Sequence, residues 1–102
     1  MRLLKQIFNA HSVAIIGASR RMGHPSHLAL MGLIESGFDG KIYPINPSAR
    51  EIEGIKAYPS IKSVQEPVDL AFIAVQAAKV MPILEECAEK DVKGAIINSA
   101  GF

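Results

Sequence analysis

Short apolar runs without polar alternation constrain the fold of this chain most strongly. Val13–Ile16 and Leu70–Val75 are continuous and apolar, and a third run opens the segment Ala95–Ser99. Such runs are typical of parallel strands that are buried on both faces of a sheet. Segments with helical spacing separate them, at Pro25–Ser36 and around Val80–Cys87. This alternation predicts an α/β fold of the Rossmann-like type, a parallel sheet with helices on both faces.

Turn residues bound the first long helix. Pro25 suits a first helical turn, and Gly37 suits the position after the last one. The spacing of the apolar residues supports a helix, because Leu28, Met31 and Ile34 recur along one face. A short amphipathic helix packed on the domain is also predicted at the start of the chain, from the spacing of Leu3, Leu4, Ile7 and Phe8.

The second strand is predicted at Lys41–Ile45, and its Pro44 indicates an end or edge position because proline cannot donate a ladder hydrogen bond. Beyond it, Ile52–Tyr58 is predicted to hold a further short strand. A turn of helix is predicted around Ile61–Val64.

Composition sets limits on class and partners. The 102 residues are 49% hydrophobic and 21% charged, which predicts a single domain over 1–102 with an ample core. A net charge of +1 excludes a broadly basic face for nucleic acid, and no apolar run approaches the roughly 20 residues of a membrane span. A single cysteine excludes an internal disulfide and fits a cytoplasmic location.

Small or polar residues follow each predicted strand. In parallel sheets, ligands bind at the carboxyl ends of the strands, near the point where strand order reverses. The sequence therefore predicts a binding site built from four strand ends, which are Gly17–Ser19, Asn46–Ser48, Val75–Ala77 and Ser99–Gly101.

The turn after the first strand favours an anion. Gly17 permits a sharp exit from the strand, Gly23 permits close approach of a ligand, and free N–H groups at a helix start attract negative charge. Arg20 and Arg21 can add charge-assisted contacts. The alternative is a tight turn with two solvated arginines.

The second strand end argues against a free ribose. Dinucleotide sites place an acid there to bind the ribose hydroxyls, whereas this chain has Ser48 and Arg50. A hydroxyl and a guanidinium suit a phosphorylated ribose. Two ligands remain open on this reasoning, NADP with its 2′-phosphate and coenzyme A with its 3′-phosphate.

Catalytic and metal sites are not expected. His24 and His27 lie three residues apart, but no further cysteine or acid accompanies them near the helix start, so ligand-contacting or solvated histidines are favoured over a metal site. Cys87 lies on an apolar helix face and is predicted to be a core residue. No Ser-His-Asp or paired-carboxylate arrangement can be assembled, which argues against a self-contained hydrolase.

A series of motifs resembles a known family. They are Phe8–Asn9, Ser12–Ser19, Gly40–Pro47, Tyr58–Ser60, Val68–Ala71 and Ser99–Phe102. In this order they resemble the N-terminal CoA-binding domain of NDP-forming (ADP-forming) acyl-CoA synthetases. That group includes acetate–CoA ligases and is related to the succinyl-CoA synthetase α subunit. The resemblance covers nearly the whole chain.

The resemblance implies that the chain binds the phosphates and adenosine half of CoA. Carried over by position, the implied binding residues are Gly17, Ala18, Ser19, Arg20, Arg21, Met22, Gly23, Asn46, Pro47, Ser48, Val75, Gln76, Ala77, Asn98, Ser99 and Ala100. Family members often carry a lysine after Asn-Pro, where this chain has Ser48. Arg50 is therefore expected to supply that cation.

The resemblance also implies that the chemistry lies elsewhere. The phosphorylated histidine of these synthetases belongs to a following domain, and none of the three histidines here matches its context. We therefore expect a binding domain from a longer multidomain ligase, with ATP/ADP and Mg²⁺ handled by the missing domains. The expected partners are CoA or acyl-CoA and the remaining synthetase domains or subunits. The alternatives are a CoA- or nucleotide-sensing regulatory domain of a protein acetyltransferase, and an NADP-dependent oxidoreductase half.

Overall fold

A four-stranded parallel sheet forms the centre of the domain in the computed structural model, which describes residues 9–98. Its strands are β1 (Ser12–Ile16), β2 (Lys41–Ile45), β5 (Leu70–Ile73) and β6 (Gly94–Ile97), and their spatial order is β2-β1-β5-β6. All three pairings are parallel. Strand order therefore reverses at β1, which lies between its two sequence successors in the sheet.

Helices cover both faces of this sheet. Helix α1 (Pro25–Glu35) packs on the face formed by Val13 and Ile15, whereas α2 (Ala77–Glu89) and a 3₁₀ turn (Ile61–Ser63) pack on the opposite face. The β1–β2 crossover through α1 and the β5–β6 crossover through α2 run toward opposite edges of the sheet, and right-handed crossovers of opposite direction place their helices on opposite faces. The predicted Rossmann-like architecture is confirmed.

Strand β1 shows why an unalternating apolar run was needed. All five of its residues are buried, and successive side chains enter two different core clusters. Ala14 and Ile16 face α2, while Val13 and Ile15 face α1. The edge position predicted for the strand with Pro44 is also confirmed, since β2 ends the four-stranded order.

The short strand predicted within Ile52–Tyr58 is β4 (Ile55–Lys56), and it belongs to a hairpin that the sequence did not predict. It pairs antiparallel with β3 (Glu51–Ile52). The two residues between them both have positive φ, 52° at Glu53 and 76° at Gly54. Positive φ at both central residues is the requirement of a tight two-residue hairpin turn, which glycine meets without strain.

The buried face of α1 is not the one along which Leu28, Met31 and Ile34 recur. Leu28 and Ile34 are 61% and 40% exposed, whereas Leu30 and Leu33 are buried against β1. Because this helix carries apolar residues on most of its circumference, spacing alone did not determine which row meets the sheet. The predicted helix at residues 1–8 lies outside the described residues.

The amino ends of the strands are tied together around Asp69. Its carboxylate accepts from the His11 backbone N–H at 2.8 Å and lies 3.5 Å from Lys93 Nζ. Its own N–H donates to Ser12 Oγ, whose hydroxyl donates to the Pro67 carbonyl. The hydrogen bond from His11 and the charge of Lys93 hold the pKa of Asp69 below its ordinary value. We call this group the amino-edge network.

No helix within residues 9–98 is long and apolar enough to cross a bilayer.

Candidate functional site

Gly17 lies where two strand ends meet at the carboxyl edge of the sheet. Its φ is +84°, and a Cβ added there would lie 2.3 Å from the carbonyl oxygen of Ala74, at the end of β5. A glycine is therefore required by chain packing before any ligand is considered. Gly23 has almost the same φ, +85°, but an added Cβ would meet open space.

Several N–H groups of the first turn are already bonded within the chain. Those of Gly17 and Ala18 donate to the Ile45 carbonyl at 3.1 and 3.0 Å, and the N–H of Arg21 donates to Ser19 Oγ at 3.0 Å. These bonds join the ends of β1 and β2. An anion at this turn must therefore rely on the remaining groups of the turn, the arginine side chains above all.

The start of α1 is capped by His24. Its Nδ1 accepts from the Ser26 N–H at 3.2 Å and lies 2.7 Å from Ser26 Oγ. The imidazole thus takes the place that Ser or Asp commonly occupies at a helix start. The Ser26 N–H is therefore bonded within the chain and is not among the free N–H groups of this helix start.

Asn46 fixes the loop after β2 against the first turn. Its Oδ1 accepts from the N–H groups of Ser48 and Ala49 at 2.7 and 3.0 Å, and its Nδ2 donates to the Ala18 carbonyl at 2.8 Å. An amide suits this position because its oxygen accepts from the loop after β2 while its nitrogen donates to the first turn. The structure therefore gives Asn46 an organising role within the site.

A hollow of 520 Å³ lies between the first turn and this loop. It is lined by Ser19, Arg20, Arg21, Asn46, Ser48, Ala49 and Arg50. We call it the arginine hollow. The Arg20 guanidinium donates through Nε and Nη2 to the Glu51 carbonyl at 3.3 and 2.9 Å, which fixes its position beside β3. Within residues 9–98, none of the three arginines forms an ion pair with a carboxylate.

Two further hollows continue along the same edge. One of 560 Å³ is lined by His24, Pro25, Ala74, Val75, Gln76, Lys79 and Asn98. The other, of 280 Å³, is lined by Ile16, Gly17, Ile45, Pro47, Pro59, Ser60, Ile61, Val75, Lys79, Ile83 and Glu86. Val75 and Lys79 line both, so the two hollows adjoin.

Lys79 lines both of these hollows and was not predicted from the sequence. It lies in the first turn of α2, exposed, and within the described chain it has no carboxylate within 4.0 Å. The signal was its position, because a residue one helical turn beyond a strand end still faces the carboxyl edge of the sheet. It adds a fourth cation to this edge.

Most of the predicted site residues lie together at this edge. Ala18 is an exception, because it is 2% exposed and belongs to the core beneath α1. Met22, Gly23 and Ala77 line none of the three hollows, and Met22 is 87% exposed. Ser99 and Ala100 lie outside the described residues.

The two histidines of the turn serve separate structural roles. His27 is buried, and its Nε2 lies 3.0 Å from Glu53 Oε1 in the β3–β4 hairpin, while His24 caps α1. Within residues 9–98, no group of three or more His, Cys, Asp or Glu side chains is placed to hold a metal ion. Cys87 is a core residue as predicted, and burial raises the pKa of its thiol.

Comparison with known proteins identifies the family. A family model described as a CoA binding domain matches residues 11–102. The chain belongs to this CoA-binding domain family. The predicted resemblance is thereby confirmed.

Two curated relatives of the chain are ADP-forming ligases. The chain is 50% identical to an acetate–CoA ligase [ADP-forming] of Methanocaldococcus jannaschii over 97% of its own length. It is 48% identical to acetate–CoA ligase [ADP-forming] II of Archaeoglobus fulgidus, again over 97% of the chain. It covers 14% and 15% of these two proteins, so it corresponds to a small part of each.

A solved structure shows the same fold. The apo form of dinucleotide forming acetyl-coenzyme A synthetase 1 from Ca. Korarchaeum cryptofilum matches with a TM-score of 0.89 and 38% identity. The match covers 97% of this chain and 22% of that one. The CoA-binding domain described here is thus homologous to one region of ADP-forming acyl-CoA synthetases.

Proposed function

We propose that the chain binds coenzyme A along the carboxyl edge of its sheet, with the CoA phosphates in the arginine hollow. The observation that carries the proposal is the set of three guanidinium groups around that hollow, none of which is ion-paired to a carboxylate within residues 9–98. Arginine binds phosphate through charge-assisted and often bidentate hydrogen bonds. Membership of the CoA-binding domain family supports the same ligand.

The chemistry of the β2 end favours CoA over an unphosphorylated dinucleotide. No acid stands between Ile45 and Arg50, where a free ribose diol would need one. Ser48 and Arg50 offer a hydroxyl and a guanidinium to the 3′-phosphate. The two adjoining hollows past Val75 then provide room for the remainder of the ligand, with Lys79 at their junction.

We assign a binding role to this chain and no catalytic residue. The close pair of Ser26 Oγ and His24 Nδ1 resembles a nucleophile with its base, but Ser26 is 0% exposed and cannot reach a substrate. The pair is better explained as a helix cap, because the Ser26 N–H is bonded to the same nitrogen.

We extend the proposal to the longer protein that such a domain serves. In an ADP-forming acyl-CoA synthetase, the CoA thiol attacks an activated acyl group, and ATP/ADP with Mg²⁺ are handled by other domains. This chain would hold and orient CoA for that attack in the cytoplasm. The ADP-forming ligases among its relatives support this assignment.

Calorimetric titration of the 102-residue chain with CoA, NADPH and NADH tests the binding proposal. We expect CoA to bind, with an affinity that falls as salt rises, because exposed charge pairs are screened over about 8 Å at physiological ionic strength. NADH should bind far more weakly than CoA. Binding of NADPH or NADH as tight as that of CoA, or CoA binding that is indifferent to salt, would contradict the proposal.

A further inference from the structure

The sheet is incompletely covered on the face that carries α1. An apolar groove of 350 Å³ runs between this helix and the strands, lined on the sheet side by Leu70, Phe72 and Ile96. On the helix side it is lined by Leu28, Gly32 and Ser36, among others. It lies over β5 and β6, and on the opposite face Ala71 and Ile73 of β5 pack with Val80 and Cys87 of α2. It is separate from the three hollows of the candidate site.

The groove wall exposes apolar surface that the described residues do not cover. Leu28 is 61% exposed although it lines the groove, and a Cβ at Gly32 would meet nothing within 4 Å. The side of α1 that lines the groove carries small residues, which leave space for another element beside the helix. They are Ala29, Gly32 and Ser36. Sheets of this class bury both faces, so this surface needs a cover.

The first described residues, Asn9 and Ala10, lie next to residues that line the groove. Ala10 packs against the core cluster that contains Val13, Ile15 and Leu33, all of which line the groove. Asn9 and Ala10 also border a neighbouring hollow together with Leu70 and Ile96, two residues that line the groove as well. The residues before Asn9 therefore start beside the uncovered surface.

We propose that residues 1–8 dock in this groove, with Leu3, Leu4, Ile7 and Phe8 on its apolar walls. These four side chains share one face at helical spacing, while Arg2, Lys5 and Gln6 are polar. Eight residues in a helix extend about 12 Å, which is on the scale of α1 beside them. The segment thus has the composition, the length and the point of attachment for the groove.

Attachment also favours this segment over a second copy of the chain. A segment joined directly to β1 is present at an effective concentration of roughly millimolar, whereas a second copy competes only at the concentration of the protein. Docking from within the chain therefore leaves this groove closed to a second copy. The proposal does not depend on CoA binding, because the groove and the carboxyl-edge hollows are formed by different surfaces.

Methyl-labelled NMR of the full 102-residue chain tests the docking directly. We expect nuclear Overhauser contacts between the methyl groups of Leu4 or Ile7 and those of Leu28 or Ile96. Their absence, in spectra that show the expected contacts among Val13, Ile15 and Leu33, would overturn the proposal.

A pair of charge substitutions provides the second test. Ile7→Asp should raise the unfolding equilibrium constant at least about tenfold, since it removes a buried aliphatic side chain, and should increase binding of a hydrophobic dye. Gln6→Asp adds the same charge on the polar side and should change neither. Equal effects of the two would contradict docking. So would a dimer in sedimentation equilibrium that Leu28→Asp dissociates, because a second copy would then fill the groove.

Discussion

The two edges of the sheet use polar residues in opposite ways. At the amino edge, Asp69 is bonded to His11 and Ser12 and lies near Lys93, so its charge and hydrogen-bonding groups are matched within the chain. At the carboxyl edge, Arg21, Arg50 and Lys79 have no carboxylate partner within residues 9–98. The charge of Asp69 at the amino edge is thus paired within the chain, whereas the cations at the carboxyl edge have no carboxylate partner within residues 9–98 and are available to an anionic ligand.

This difference separates groups that hold the fold from groups that are available to a ligand. The carboxyl edge also contains a residue that holds the fold. The side-chain amide of Asn46 lies at this edge and is bonded to Ala18, Ser48 and Ala49. Substitutions at the two edges should accordingly affect different measurements.

The largest expected effect is at Gly17. Gly17→Ala should lower the free energy of unfolding by about 3 kcal/mol or more, because it combines a positive φ with a Cβ placed 2.3 Å from the Ala74 carbonyl. Gly23→Ala is the matched control, with nearly the same φ and open space around the added atom. It should cost only about 1 kcal/mol. Equal losses in urea unfolding would show that the contact with Ala74 is unimportant.

Asn46→Ala should come next. Losing its three hydrogen bonds should lower stability by roughly 2–3 kcal/mol and weaken CoA binding as the loop detaches from the first turn. Ser48→Ala is the control, since only the backbone N–H of Ser48 takes part in these bonds. It should leave the thermal unfolding midpoint in place. If both variants unfold alike, the organising role of Asn46 is wrong.

Arg50→Ala tests the open charge of the carboxyl edge. If its guanidinium binds the 3′-phosphate, the variant should lose roughly 1.5–3 kcal/mol of CoA binding energy, with little change for dephospho-CoA. Lys41→Ala, at the amino end of β2, is the control and should change neither the affinity for CoA nor that for dephospho-CoA. An equal loss for the two ligands in calorimetry would place the 3′-phosphate elsewhere.

The smallest effect is expected at the amino edge and depends on pH. The pKa of Asp69 is lowered in the folded chain, so its ionised form stabilises the fold above the unfolded value of about 3.9, and that contribution is lost as pH falls through the folded value. Asp69→Asn should lower stability by roughly 1 kcal/mol at pH 7 and by progressively less below pH 4.

Denaturant unfolding of both proteins between pH 3 and 7 measures this difference, and CoA affinity at pH 7 should be the same in each. A stability difference independent of pH would contradict the role of the Asp69 charge. A change in CoA affinity would contradict the view that residues of the amino edge stabilise the fold without contributing to ligand binding.

The sequence determined the sheet more closely than the site. Central strands were predictable because burial on both faces demands an apolar residue at every position, as in Val13–Ile16. The edge position of β2 followed from Pro44. The face of α1 that meets the sheet could not be predicted, because Leu28 and Leu30 are equally apolar and only tertiary packing distinguishes them.

Within the site, the sequence indicated which segments meet but not how their polar atoms are used. The requirement for glycine at 17 was predictable, while its cause, the Ala74 carbonyl of a strand more than fifty residues away, was not. The cap that His24 provides and the hairpin turn at Glu53 depend on local geometry that neither residue type favours strongly. Lys79 was not predicted because it lies one helical turn beyond the strand end, inside α2.

The bonds from Arg20 to the Glu51 carbonyl and from Asn46 to the Ala18 carbonyl are made entirely between groups of the chain. They join the first turn to the segments on either side of the arginine hollow and require no ligand atom. A ligand that meets a pocket already assembled in this way binds in one kinetic step. The observed association rate of CoA should then rise in proportion to its concentration in stopped-flow experiments, without the plateau that a slow closing step would impose.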